Sequence, residues 1–128
     1  MDRRRFLCRG MRQTTDEWVI GYLVAKLNSS MRFRVPMIVD LDNVTYTDIH
    51  PQTVGQCIGF EDETGKLIFE GDMVYAVHKC FPKNVLKGPV EWRDYKWFIA
   101  GESADWVLRA YNIRIVGDVH EEGEAKSC

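Results

Sequence analysis

The chain has 128 residues, a formal net charge of −2, 45% hydrophobic residues and 28% charged residues. This length suits one domain with a single core, and the composition is too apolar for a disordered protein and too weakly charged for a typical basic nucleic-acid-binding domain. No stretch approaches the roughly eighteen apolar residues of a membrane helix, and no apolar signal region follows the basic N-terminus. We therefore expect a cytoplasmic protein without membrane contact.

The charge is unevenly distributed along the chain. Residues 1–35 contain eight Lys and Arg against three acids, whereas residues 36–128 contain nine against sixteen. A basic first third can mark a surface for polyanions, but basic residues that alternate with apolar ones are also typical of the solvated face of a strand. The solvated strand face is the favoured interpretation.

Cysteines and histidines give no metal pattern. The four cysteines are widely spaced, without a CxxC pair, and fit the reduced thiols of a cytosolic protein: Cys8, Cys57, Cys80 and Cys128. Cys57 and Cys80 adjoin apolar residues, so we expect small buried side chains rather than nucleophiles. The histidines are far apart in the chain: His50, His78 and His120. The sequence predicts no metal and no cofactor.

The first half of the chain reads as a ribbon of strands. A first strand over residues 4–9 and a second over residues 17–26 are separated by a polar hairpin loop. Residues 31–35 alternate apolar residues with arginine, which predicts a strand with one solvated face, and Pro36 indicates a bend or an edge position. Residues 47–56 suggest a loop with one helical turn.

The second half continues with short strands and one helix. Residues 55–60 form a short strand, and the apolar run from Met73 to Val77 predicts a strand covered on both faces. Residues 89–93 and 96–100 form a hairpin that brings Trp92 opposite Trp97. Residues 104–111 are the one candidate for a helix, and residues 113–120 form a final strand or a turn.

The stretch FEDETGKLIFEGD raises the question of whether its acids form a catalytic site. In the predicted turn, Gly65 can supply a positive φ while Asp62 bonds nearby backbone N–H groups. Gly71 and Asp72 stand immediately before a buried strand, where a carboxylate can accept orphan backbone donors. General acid–base catalysis needs two carboxylates that converge on a cleft. We therefore interpret these four residues as structural, and a hydrolase using Asp72 or His78 is the weakest hypothesis.

An aromatic and basic cluster is the remaining functional signal. Three tryptophans and a tyrosine lie within fifteen positions, and basic residues lie among them or close by: Trp92, Tyr95, Trp97, Trp106, Arg93, Lys96 and Arg109. We expect Trp92 and Trp97 in the core, whereas Tyr95 and Trp106 fit either core or surface. The candidate interaction surface is therefore Tyr95, Trp106, Arg93, Lys96 and Arg109.

Five motifs occur in one order along the chain: RG at residues 9–10, WxxGY at 18–22, VGQxxG at 54–59, DxxGKxIFEGD at 62–72 and IxxxGDVHE at 113–121. In this the sequence resembles the YopX family of small phage and prophage proteins. The resemblance implies a single mainly-β domain: an N-terminal β ribbon at residues 1–58, an SH3-like barrel at 59–121 and a flexible tail at 122–128. It implies phage or prophage origin, and it carries no catalytic or binding residues and no established activity. The chain's end departs from the family, because EGEAKSC replaces the usual Asn-Pro-Glu-Leu.

These observations lead to two functional hypotheses. The first is a non-enzymatic module that self-associates and binds a host or phage protein, because strand edges need covering by a neighbouring chain. The alternative is a small β-barrel protein that binds nucleic acid through the basic first third and the aromatic cluster.

Overall fold

The computed structural model describes residues 3–27, 34–40 and 45–120, and the chain divides into two compact units, Met1–Cys57 and Ile58–Cys128. The strands are β1 (Cys8–Met11), β2 (Trp18–Leu27), β3 (Arg34–Asp40), β4 (Thr45–Asp48), β5 (Gly55–Glu61), β6 (Leu67–Phe69), β7 (Asp72–His78), β8 (Val85–Arg93), β9 (Lys96–Ile99), β10 (Glu102–Ser103) and β11 (Tyr111–Asp118). One α-helix, α1 (Ala104–Ala110), and two 3₁₀ turns, Arg3–Phe6 and Pro51–Thr53, complete the described elements.

The first unit is an antiparallel ribbon in the order β4-β3-β2-β1, with the start of β5 beside β1. The expected hairpin is confirmed, because Met11 pairs with Trp18 and Cys8 with Gly21. The first strand was predicted too early. Residues 3–6 form a 3₁₀ turn, closed by a bond from the Leu7 N–H to the Arg4 carbonyl, since three consecutive arginines offer no period-two apolar pattern.

The strand after β2 also fits its sequence. Pro36 lies opposite Ala25 of β2 but outside the stretch of β3 that pairs with β4. A residue without an N–H is tolerated at such a one-sided position. Residues 31–33 of the predicted strand lie outside the described residues, as does the predicted tail. The expected single helical turn is the 3₁₀ turn Pro51–Thr53.

The second unit contains a five-stranded antiparallel sheet in the order β10-β9-β8-β7-β11. Its core consists of aliphatic side chains from the sheet, from α1 and from β5 and β6: Ile58, Ile68, Val74, Ala76, Val90, Ile99, Ala104, Val107 and Ile113. The mainly-β class is confirmed, and α1 matches the predicted helix. Within the described ranges the strand orders do not close into a ring, so the SH3-like barrel is not observed as a closed barrel.

Strand β7 differs from its prediction. Val74 and Ala76 are fully buried, whereas Tyr75 between them is 41% exposed. The strand is therefore fully buried on one face and partly exposed on the other. An uninterrupted apolar run suggested two covered faces, but tyrosine carries a hydroxyl that is readily solvated, so its ring can lie on the outer face.

The β8–β9 hairpin has the predicted register, with Trp92 opposite Trp97 and ring centroids 5.2 Å apart in an edge-on arrangement. The expected core position of Trp92 is wrong, because Trp92 is 52% exposed. Trp97 is half-buried and packs against the core. The tryptophan pair lies two residues beyond the buried pair Val90 and Ile99, on the same face and towards the hairpin tip. The core ends before it reaches this pair.

Candidate functional site

The acidic turn between β5 and β6 is held together by one carboxylate. Asp62 is buried, and its Oδ1 accepts bonds from the Thr64 N–H at 2.9 Å, the Thr64 hydroxyl at 2.6 Å and the Lys66 N–H at 3.0 Å. Its Oδ2 accepts the Ile115 N–H at 3.1 Å. Gly65 has a φ of 88°, which a side chain would disfavour. The carboxylate is therefore fully engaged in tying the turn to β11.

The charge state of Asp62 follows from the same contacts. Burial acts to raise the pKa of this carboxyl, but hydrogen bonds from the Thr64 side chain and from the backbone of Ile115, Lys66 and Thr64 together hold the pKa below its ordinary value. Asp62 is thus an ionised acceptor at neutral pH. A general acid would need the opposite shift.

The same turn covers part of the outer edge of β11. The Glu63 N–H donates to the Ile113 carbonyl at 2.8 Å, and the Glu63 carboxylate pairs with Arg114 at 2.9 Å. The Ile113 carbonyl and the Ile115 N–H, two edge groups that a strand added at β11 would use, are therefore satisfied within the chain.

Asp72 has a comparable position at the start of β7. It is 1% exposed, and its Oδ2 accepts the Phe69 N–H at 2.8 Å. The preceding Gly71 has a φ of 91°. Its N–H donates to the Val90 carbonyl, and its carbonyl accepts the Val119 N–H. Asp72 therefore lies inside the fold at a sharp change of chain direction, and does not face a cleft.

The tip of the β8–β9 hairpin is built differently. Its two central residues, Asp94 and Tyr95, both have positive φ values, 50° and 66°. This is the pattern of the type I′ turn, in which Gly, Asn and Asp are preferred and other side chains, such as that of Tyr95, are disfavoured. Tyr95 is 94% exposed. The chain therefore keeps a large aromatic side chain in a costly conformation and in solvent.

The basic residues of the tip lie on the face of the hairpin opposite the tryptophan pair. The Arg93 guanidinium lies 4.2 Å from the centroid of the Phe98 ring, and the Lys96 ammonium lies 5.0 Å from it. Such cation–π contacts hold both side chains against the strand. The tip thus combines two cations with an exposed tyrosine.

An apolar cleft of ≈ 410 Å³ lies between β5, β9 and α1. Ile58, Phe60, Trp97, Ala104 and Leu108 form most of its wall, and Lys96, Ser103, Asp105 and Arg109 complete it. Arg109 and Asp105 are paired at 2.8 Å along the helix. The Arg109 charge is therefore balanced by Asp105, and the Lys96 ammonium lies against Phe98 on the other face of the hairpin.

A second cleft of ≈ 200 Å³ adjoins the first, because Phe60 and Leu108 line both. Its remaining lining residues are Glu61, Asp62, Glu63, Lys79, Tyr111, Asn112 and Ile113. Its charged lining residues are three acids and one base, of which Asp62 is engaged within its turn and Glu63 is paired with Arg114. The two clefts form one groove in which the excess of acidic residues lies at the second cleft.

The predicted surface residues fall into three places. Lys96 and Arg109 are brought together at the apolar cleft, while Arg93 and Tyr95 lie at the hairpin tip. Trp106 is 49% exposed and lies beside His78, with ring centroids 6.3 Å apart. Strand β9 therefore leads from the hairpin tip to the cleft, whereas Trp106 belongs to a cluster around His78.

That second cluster surrounds His78 at the end of β7. The His78 ring has Phe81 and Tyr111 at 5.1 Å between centroids, and its Nδ1 accepts the backbone N–H groups of Cys80 and Phe81. His78 thus caps a turn. Cys57 is buried as expected, whereas Cys80 is exposed, because it lies in this turn rather than in the strand.

The described residues hold no group of three or more His, Cys, Asp or Glu side chains arranged to bind a metal. His50 lies 3.2 Å from Asp16, and the His120 N–H donates to Asp118. Of the helices described, none has the length and apolar character needed to cross a membrane.

Sequence reasoning missed the residues that make the cleft apolar. Phe60 and Leu108 are separated by almost fifty positions and meet only because α1 packs beside the end of β5. The one local signal was Phe60 itself, an aromatic residue directly before the acidic turn, and it is 51% exposed.

Comparison with known proteins gives one match. The model of a family described as YopX protein matches residues 13–125, nearly the whole chain. No curated protein matches the sequence, and no solved structure matches it.

Proposed function

Because the chain belongs to the YopX family, we propose that it is a phage- or prophage-encoded protein that acts by binding rather than by catalysis. We propose further that it self-associates in the cytoplasm of a bacterial host and binds a host or phage protein there.

The observation that carries this proposal is Tyr95. Tyr95 is 94% exposed, and a tyrosine side chain, with only two torsion angles, loses little conformational entropy when it is buried by a partner. Tyrosine is also among the residues enriched at binding hot spots. The exposed ring next to an apolar cleft with a charged rim supports a binding role.

The acidic residues support a role without catalysis. Asp62 accepts four hydrogen bonds, and Asp72 is buried and bonded to the backbone. Either carboxylate would have to abandon its turn before it could act on a substrate. Their arrangement stabilises chain reversals and offers no converging acid–base pair.

Self-association is tested by size-exclusion chromatography with light scattering over a concentration series. The proposal expects a molar mass that rises with concentration to a multiple of the 14.9 kDa chain. A mass that stays at one chain throughout the series would contradict it.

Binding of a host or phage protein is tested by affinity capture from lysogenic cells. The wild-type chain and a Tyr95→Ser variant serve as baits in parallel. The proposal expects a phage or host protein that is retained by the wild-type chain and lost with the variant. Equal recovery by both baits would argue against binding through the hairpin tip.

Nucleic acid is the second candidate ligand, and the hairpin tip favours it. Arg93 and Lys96 flank Phe98 on one face while Trp92 and Tyr95 are exposed nearby, which is the combination of cations and rings that binds single strands. This candidate predicts an affinity for single-stranded DNA or RNA that falls steeply with salt. An absence of binding at low salt would eliminate it.

A further inference from the structure

We propose that Tyr95 of one copy inserts into the apolar cleft between β5, β9 and α1 of a second copy. This inference rests on the proposed self-association and names both the segment that is inserted and the site that receives it.

The donor side is the hairpin tip. Asp94 and Tyr95 occupy two turn positions with positive φ, where Asp is tolerated but Tyr is disfavoured. Glycine at position 95 would relieve this cost, yet the chain has a tyrosine there. Residues held in such unfavourable backbone regions often serve function, and here the visible consequence is a ring that is 94% exposed.

The receiving side has the size and chemistry for an aromatic side chain. A volume of ≈ 410 Å³ lies within the range of roughly 300–1,000 Å³ seen for binding pockets. Phe60 and Trp97 offer ring surfaces, and Ile58, Ala104 and Leu108 offer aliphatic ones. Tyr95 does not line the cleft of its own chain, so the cleft stays open to a ring from elsewhere.

The charges of the tip and the groove are complementary. Along the tip, an acidic residue, Asp94, precedes Tyr95, and a basic residue, Lys96, follows it. Along the groove, Arg109 of the apolar cleft is balanced by Asp105, and the lining of the adjoining cleft has an excess of acidic residues. With Tyr95 in the apolar cleft, the two cations of the tip, Arg93 and Lys96, are directed to the acidic end of the groove.

The position of the cleft makes a reciprocal contact geometrically simple. Lys96 and Trp97 line the cleft, and Tyr95 immediately precedes them in β9. A two-fold axis beside β9 therefore places each tip against the cleft of the other copy. Such an isologous contact closes as a dimer and leaves no free copy of either surface.

Sedimentation velocity over a concentration series tests this arrangement with two variants. Asp94→Asn/Tyr95→Gly removes the ring while giving the turn its preferred residues, so misfolding is not expected. Phe60→Ser removes an exposed cleft wall. Each variant is expected to raise the dimer dissociation constant by at least about tenfold. Phe81→Ser, which removes a 62% exposed ring outside the cleft, is expected to leave the constant unchanged.

Mixing the two weakened variants sharpens the result. The tip variant has an intact cleft, and the cleft variant has an intact tip, so a mixture re-forms one of the two contacts and is expected to associate more tightly than either alone. If neither variant weakens the wild-type dimer, this inference is overturned but the proposed self-association is not. The same conclusion follows if only Phe60→Ser weakens the dimer. A wild-type chain that stays monomeric overturns both proposals.

Discussion

The two hairpin turns of the second unit both require positive φ angles, but they place different kinds of residue at those positions. At the turn after β5, Gly65 adopts the positive φ, and the buried Asp62 carboxylate accepts four hydrogen bonds. At the turn after β8, Asp94 and Tyr95 adopt the positive φ values, and the tyrosine side chain is exposed to solvent. The first turn follows the local rules of stability, whereas the second departs from them. The departure marks where to look for function.

The largest expected effect comes from removing the carboxylate of the first turn. Asp62→Ala leaves four donors without their acceptor, including the Ile115 N–H of β11, and we expect a loss of about 3 kcal/mol in the free energy of unfolding. Urea unfolding followed by tryptophan fluorescence measures it. Asp105→Asn, on the exposed ion pair of α1, is the matched control and is expected to change little.

Protonating the same carboxylate is expected to produce part of that loss. Because the pKa of Asp62 is lower in the folded than in the unfolded chain, its contribution is fully present above the ordinary aspartate pKa and is lost as pH falls through the folded pKa. The free energy of unfolding of the wild type should therefore decline towards acid pH more steeply than that of Asp62→Asn. Parallel curves for the two proteins would contradict this.

A smaller effect of opposite sign is expected at the second turn. Tyr95→Gly removes a Cβ from a residue with a φ of 66° and should stabilise the monomer by about 1 kcal/mol. Thermal unfolding at a protein concentration too low for the proposed self-association measures it. Gly65→Ala, the reverse exchange at the first turn, should destabilise, because Gly65 has a φ of 88°. Effects of the same sign at both turns would remove the contrast between them.

The smallest effect is expected at the helix surface. Arg109→Gln breaks the exposed pair with Asp105 and should cost about 0.3–0.5 kcal/mol at low salt, and less at high salt. If the proposed self-association uses the apolar cleft, which Arg109 lines, the association constant of this variant is the more informative readout. A large loss of stability would show that the pair has a structural role that its exposure does not indicate.

Local chemistry made much of the fold predictable. The register of Trp92 and Trp97 followed from a two-residue spacer, and the turn at Asp62 and Gly65 followed from residue types that favour one backbone geometry. The exposure of Trp92 could not be predicted in this way, because it depends on where the core ends. The same holds for Tyr75, whose surroundings are set by the neighbours of β7 rather than by the apolar run that contains it.

The candidate site was predictable only in part. Lys96 and Arg109 were identified because basic and aromatic residues lie close together in that segment. Phe60 and Leu108, which connect the two clefts, come from distant segments, so their meeting is a product of tertiary packing. Periodicity reports which face of an element is apolar, but it does not report which distant element lies against that face.

Site-specific photocrosslinking at position 95 tests the central claim most directly. The tyrosine is replaced by a photoreactive phenylalanine analogue, and equal amounts of isotopically light and heavy chains are mixed before irradiation. The account predicts crosslinks between light and heavy chains that join position 95 to cleft residues such as Phe60 or Leu108. Crosslinks confined to single chains, or reaching a second chain only outside this cleft, would contradict it.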